Sequence, residues 1–223
     1  MLDFETTVRS RQSIRTFLPE EIPQNVIDEV VKDAIAAPSA CNTQPWNVHI
    51  ISGETLKKVS DKIKYNYENG ILSPDSYFDQ SEYTGIFEAR WRNQYKFVYD
   101  GFGVAREDKE GRHRVNLLNA EFYGAKHSAL FFVPKFGDNA EAIAADMGMF
   151  GQNFMLSLTA RGYGSIPQLM IGMFGSGVRE MLGVSDDYKL VWGVSFGVPD
   201  WDAQPNKRHL ERVDVSEIVT YHR

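Results

Sequence analysis

Apolar side chains recur along this chain with two periods, one helical and one strand-like, and the polar chemistry gathers where the periods break. Val26, Ile27, Val30, Val31, Ala34 and Ile35 fall three and four apart, the stripe of an amphipathic helix, with Pro23 suited to its first turn. Pro38 has no N–H with which to continue that ladder, so a loop begins at Ala37. Residues 47–52 read as a strand stopped by Gly53, and Leu56, Val59 and Ile63 mark one face of a helix beyond it. Residues 129–133 form an apolar run closed by Pro134, long enough for a buried strand. Residues 141–161 make the strongest helical pattern. Ile143, Met147, Phe150, Gly151, Phe154, Met155 and Leu158 cover a face broad enough to be buried on more than one side, and Gly162 is placed to stop it. Short helices are expected over 2–8 and near 176–182, and a last strand over 189–198. Residues 162–170 read as a Gly-rich connection.

Between Tyr65 and about Asn116 the periods give way to aromatics scattered among charges and glycines, which predicts an excursion, partly helical, from the main fold. Aromatic side chains at this density can form a lid over a planar ligand, but more often they staple a loop-rich region to the body.

Composition narrows the class. With 223 residues, 43% of them hydrophobic, the chain is long enough for a substantial core, and no repeat or low-complexity linker divides it. A net charge of −6 argues against general affinity for nucleic acid but leaves room for a local phosphate pocket. The single cysteine, Cys41, excludes an internal disulfide and any thiolate-rich metal site. The first residues carry acids where a secretory signal has bases, and no segment approaches the roughly 18 apolar residues of a membrane span. The expected location is cytoplasmic.

Three stretches carry candidate chemistry. Arg11, Ser13 and Arg15 lie two apart, so an extended backbone turns all three the same way, toward one anion. Ser39, Asn42, Thr43 and Gln44 place hydroxyl and amide groups in the loop after Pro38, and Trp46 anchors its exit. A second basic cluster, Lys207, Arg208, His209 and Arg212, lies at the other end of the chain, ahead of the apolar Val213, Val215, Ile218 and Val219. The spelling excludes a dinucleotide glycine fingerprint, a phosphate loop, a His-Glu-x-x-His zinc site and a Gly-x-Ser-x-Gly nucleophile. Cys41 with His49 has no spacing that sets a nucleophile against a base.

In their order and spacing, Arg11-Gln12-Ser13-Ile14-Arg15, the Ala-Pro-Ser-x-x-Asn-x-Gln-Pro-Trp run ending at Trp46, Gly164-Ser165-Ile166-Pro167-Gln168, and the terminal Asn206 and Arg212 resemble the motifs of the FMN-dependent nitroreductase family. The likeness runs from Val8 to Thr220. Gln12 departs from it, standing where that family has arginine or histidine.

The resemblance implies an α+β sandwich, a central, mainly antiparallel sheet flanked by helices, with its C-terminal segment exchanged across a homodimer. Residues 1–223 would then be one FMN-binding domain with an excursion at about 65–116. It further implies that Arg11, Gln12, Ser13 and Arg212, with His209 and Lys207 sharing the task, hold the FMN phosphate. Pro38, Ser39, Asn42 and Gln44 would approach from the other subunit. Ser165, Ile166, Pro167, Gln168 and Leu169 would pass the flavin edge, with a main-chain N–H of Leu169 or its neighbour reaching N5. Arg15 would sit toward the pyrimidine ring, where its charge offsets the negative charge of reduction. The implied activity is transfer of hydride from NADH or NADPH to FMN and on to a nitroaromatic or quinone-like acceptor, by a ping-pong mechanism. No metal, nucleic acid or membrane is implied. A dehalogenating or ene-reducing flavoenzyme with a specific lid, or a flavin-storage protein without turnover, are the alternative readings.

Overall fold

The structure, a computed structural model, describes residues 1–135 and 137–223. Its helices are α1 (Phe4–Ser10), α2 (Gln24–Ile35), α3 (Gly53–Glu68), α4 (Ile86–Gly101), α5 (Lys109–Ala120), α6 (Ala140–Ala160) and α7 (Gly175–Leu182). Four strands, β1 (Asn47–Ser52), β2 (His127–Pro134), β3 (Gly164–Gln168) and β4 (Tyr188–Gly197), form one sheet in the order β1-β2-β4-β3, with every neighbouring pair antiparallel.

Helices cover both faces of this sheet, so its inner strand β2 is apolar on both sides, which is why it reads as a continuous run and not an alternation. Ala129, Phe131 and Val133 turn to one face, against Ile27, Val30 and Ala34 of α2 and Met147, Phe150 and Phe154 of α6. Leu130 and Phe132 turn to the other, against Val59 and Ile63 of α3 and Phe174 and Val178 near α7. Burying each such aromatic or branched side chain contributes about 1.5–3 kcal/mol. α6 approaches the sheet at Gly151, where an added Cβ would lie 2.2 Å from the Trp192 ring. Gly162 ends the α6 run in the left-handed region, at φ +84°.

Residues 164–168 overturn the expectation of a loop there. They are a strand because β4 supplies a partner, from Gly164 opposite Gly197 to Gln168 opposite Gly193. Pro167 is tolerated because β3 lies at the edge of the sheet. Within the aromatic excursion, α3 runs on through Tyr65 and Tyr67, and α4 and the start of α5 make up about half of the remainder. α1 lies two residues later than expected, capped by the Asp3 side chain on the Thr6 N–H. Among the described residues no helix is long and apolar enough to cross a membrane.

Candidate functional site

The segment after α1 is laid along the open edge of β3. Ser13 bridges Ser165, and the Ile14 N–H donates to the Ser165 carbonyl at 3.0 Å. Gly164 must be glycine here, because a Cβ would lie 2.7 Å from the Ile14 side chain. Buried Asn206 shapes the segment from the other side. Its Oδ1 accepts from the Arg15 N–H at 2.8 Å, its Nδ2 donates to the Thr16 and Asp200 carbonyls at 2.8 Å each, and its own carbonyl accepts from Gln12 Nε2 at 2.8 Å. The Gln12 amide is therefore spent on the fold.

Charge accumulates at this edge without an acid to offset it. Burial first, and then the nearby charge of Arg212, push the Arg11 guanidinium below the ordinary arginine range. Arg15 is lowered by burial, which the nearby Tyr123 phenol opposes, and its Nη1 donates to the Ser13 carbonyl at 3.2 Å. Burial raises the Tyr123 phenol in turn, against the opposing pull of Arg15. Among the described residues no carboxylate pairs with Arg11, Arg15 or Arg212. Arg212 is exposed and donates to the Leu210 carbonyl at 2.8 Å, whereas Arg11 and Arg15 are half-buried, and half-buried cations in this state favour an anion from outside the chain. Ser165 adds a second vacancy in the hydrogen bonding, since its Oγ is buried and has no partner.

The second basic cluster divides. Arg212 comes to Arg11, while Arg208 donates to the Phe97 carbonyl at 2.9 Å and stacks 4.5 Å from the Phe97 ring, tying the tail to α4. Lys207 and His209 lie exposed. Along β3 and just beyond, Ile166 is buried in the core, Pro167 is exposed at the open edge and Leu169 is exposed after it. Gln168 is buried and internally satisfied: Nε2 donates to the Asn119 carbonyl at 2.8 Å and its Oδ1 at 2.7 Å, and Oε1 accepts from Ser195. What this stretch offers a ligand is main chain.

The polar loop over residues 36–46 lies elsewhere. Its 3-10 turn, Ala40–Asn42, carries two non-glycine residues in the left-handed region, Cys41 at φ 51° and Asn42 at 57°, and Gln44 just beyond it is a third at 48°. Ser39 Oγ accepts from the Gln44 N–H at 2.9 Å, Gln44 Nε2 donates to the Asn42 carbonyl at 3.3 Å, and Pro38 and Asn42 are exposed. Trp46 anchors the exit, its ring 5.1 Å from that of Phe150. The Ala40 N–H is held by Asp146 of α6, whereas the far end of that helix, at the Ala160 carbonyl, accepts from the Leu2 N–H beside α1. At about 1.5 Å per residue, Asp146 and Ala160 stand roughly 20 Å apart along α6. Within one chain, then, the loop and the Arg11–Ser165 edge are not brought together.

Asp146, Tyr123 and Asn206 do work at these sites that spacing alone did not assign. Asp146 had a legible signal, a carboxylate set among Ile143, Met147 and Phe150 on an apolar helical face. Tyr123 had none, because its approach to Arg15 follows from two successive left-handed residues, Phe122 and Tyr123.

Known proteins share both the sequence pattern and the fold. The model of the Nitroreductase family matches residues 8–198. Nitroreductase NfnB of Mycolicibacterium smegmatis is 32% identical over 98% of this chain and 92% of its own length. The 4-nitrobenzoate reductase of Pseudomonas putida is 29% identical over 94% of this chain and 91% of its own. The crystal structure of the FMN-dependent nitroreductase NfnB from Mycobacterium smegmatis in complex with NADPH superposes with a TM-score of 0.93 at 30% identity, covering 98% of this chain and 97% of that one. On its motifs, its fold and these matches, the chain belongs to the nitroreductase family.

Proposed function

We propose that this protein is an FMN-dependent oxidoreductase that draws reducing equivalents from NADPH or NADH and passes them to nitroaromatic or quinone-like acceptors. The observation that carries the reading is the uncompensated pair Arg11 and Arg212 beside the orphaned Ser165 hydroxyl, at the open edge of β3. A terminal phosphate suits it, and the glycine fingerprint that grips a dinucleotide pyrophosphate is absent from the chain. The relatives described as FMN- and NADPH-dependent, and as acting on nitrobenzoate, support the same reading.

When bound, FMN supplies the redox chemistry, accepting hydride from the nicotinamide and handing it on. The chain's own residues bind and bias. Arg11, Ser13 and Arg212 hold the phosphate, with Lys207 lending charge and His209 standing beside it in the exposed tail, and Gln12 supports them through Asn206. Arg15, desolvated and steadied by Tyr123, sets a fixed positive charge near the ring system, where it favours the reduced, more negative cofactor. The exposed edge at Pro167 and Leu169 presents main chain to the flavin, with the Ser165 hydroxyl buried behind it and Ile166 and Gln168 holding the strand from inside.

That the loop is anchored at Asp146, roughly 20 Å along α6 from the helix end that meets Leu2, supports a homodimer, in which Pro38, Ser39, Asn42 and Gln44 of one copy complete the site of the other. The test is direct. Denatured protein should release FMN, identified by mass, and NADPH or NADH should bleach the bound flavin without oxygen, with 4-nitrobenzoate restoring the colour. Release of FAD, or flavin that neither nucleotide bleaches, would overturn the proposal.

A further inference from the structure

Asp146 is one of the least accessible charged side chains of the molecule, 3% exposed, on the face of α6 that otherwise packs Ile143, Met147 and Phe150. Both carboxylate oxygens converge on one donor, the Ala40 N–H, at 3.0 and 3.1 Å. Among the described residues no lysine, arginine or histidine forms an ion pair with it. As a stabilising device this arrangement is poor. A buried carboxylate accommodates several donors, and one bifurcated N–H does not compensate its loss of water.

The loop that Asp146 holds is also poorly built for stability taken alone. Cys41, Asn42 and Gln44 sit in the left-handed region, where L side chains crowd the following carbonyl, and the segment is exposed. Its other backbone N–H donors are spent internally, Gln44 on Ser39 Oγ, Asn42 on the Ser39 carbonyl and Thr43 on the Ala40 carbonyl, and beyond them Trp46 packs the exit against Phe150. The Asp146 anchor decides how the strained turn is presented. An under-partnered buried charge therefore maintains an exposed, strained, polar conformation, and stability does not explain either half of that pair.

We propose that Asp146 is a positioning residue for cofactor binding, its carboxylate holding the Ala40 N–H so that Pro38, Ser39 and Asn42 stand preformed for the FMN of the facing copy. The proposal rests on the functional reading above. Asp146 touches no cofactor and acts through the loop.

The experiment compares full-length wild type with Asp146→Ala and Asp146→Asn, each stripped of flavin and then titrated with FMN. Three quantities are read: FMN affinity, the urea midpoint of the flavin-free protein, and hydrogen exchange of the Ala40 to Gln44 amides. Asp146→Ala should bind FMN at least tenfold more weakly while its flavin-free midpoint stays level or rises, and exchange should quicken in the loop alone. Asp146→Asn, which retains one acceptor oxygen, should recover part of the affinity. Unchanged affinity would overturn the proposal. So would a loss of affinity that tracks a fall in midpoint, with exchange quickening through the whole core. Wild type that takes up no FMN would fail the functional reading instead. In that case loop exchange still decides whether Asp146 fixes the turn, and unchanged exchange removes it from that role.

Discussion

Arg212, exposed in the tail, lies near enough to half-buried Arg11, at the C-terminal end of α1, for the two charges to repel, and among the described residues neither pairs with a carboxylate. A folded chain does not gain from that repulsion. An anion shared by both guanidiniums converts it into two charge-assisted hydrogen bonds, each contributing about 1.5–3 kcal/mol. Arg11→Ala and Arg212→Ala should each weaken FMN binding roughly tenfold to a hundredfold. Fluorescence titration reads the loss, and inorganic phosphate should compete with FMN for the wild type more strongly than for either variant. An arginine whose removal leaves the affinity unchanged has no part in the site.

Arg15→Met keeps much of the side-chain volume and deletes the charge that Tyr123 steadies. With that charge gone, reduction of the bound cofactor should be less favourable. Each tenfold shift in preference away from the reduced form lowers a two-electron midpoint by about 30 mV. Potentiometric titration of the purified variant should show a fall of at least this order, and a midpoint equal to that of the wild type would place Arg15 away from the ring system.

The tail leaves apolar side chains in water, with Val215 58%, Ile218 67% and Tyr221 74% exposed. Such a segment needs a surface to cover it, and a second copy offers one. Removing residues 214–223 should lower dimer stability and FMN content together. Sedimentation followed in the flavin band checks this, and a flavin-loaded species at the 25.4 kDa of one chain would refute the shared site.

His127 is buried with Nε2 accepting the Ile22 N–H at 3.0 Å, a contact available only to the neutral ring. Burial lowers its pKa, with Glu21 pulling the other way, and burial also lowers that of half-buried His49. The unfolded chain therefore binds more protons than the folded one just below the ordinary imidazole pKa of about 6.5. Stability from this source is complete above that value and declines as pH falls below it. Urea midpoints at pH 8 and pH 5.5 should differ less in His127→Gln than in wild type, and an equal difference would assign the acid sensitivity to other groups.

Asp75 ties the loop after α3 to α7 and the sheet. Its carboxylate accepts from Arg179 Nε at 2.7 Å, from Nη2 at 3.1 Å and from the Leu190 N–H at 2.9 Å. The two side chains are only 5% and 8% exposed, so Asp75→Ala removes two acceptors from a buried guanidinium, leaves it only the pairing with exposed Asp186, orphans the Leu190 N–H, and should cost about 1–3 kcal/mol. Asp75→Ala with Arg179→Met should recover part of that loss in urea unfolding, and a double variant no more stable than the single one would place the cost elsewhere.

Local period and motif order were enough to recognise α2, α6, β1 and β2, the exposed polar loop after Pro38, and the family itself. Each of these follows from side chains a few residues apart, whose common face is set by backbone geometry before any long-range contact forms. The folded chain decided what depends on distant partners. Residues 164–168, with Gly164 and Pro167 among them, have weak intrinsic preference for a strand and form one only because β4 offers its edge. The basic cluster of the tail could not be divided by spacing, since Arg208 goes to Phe97 and Arg212 to Arg11 according to where the tail crosses α4. The separation of the loop from the Arg11 edge is the length of α6 between Asp146 and Ala160, a distance that appears only once both ends are packed. Asp146 shows the limit most plainly: its place on an apolar face was visible in the sequence, but the N–H it holds belongs to a loop whose path is set by tertiary packing.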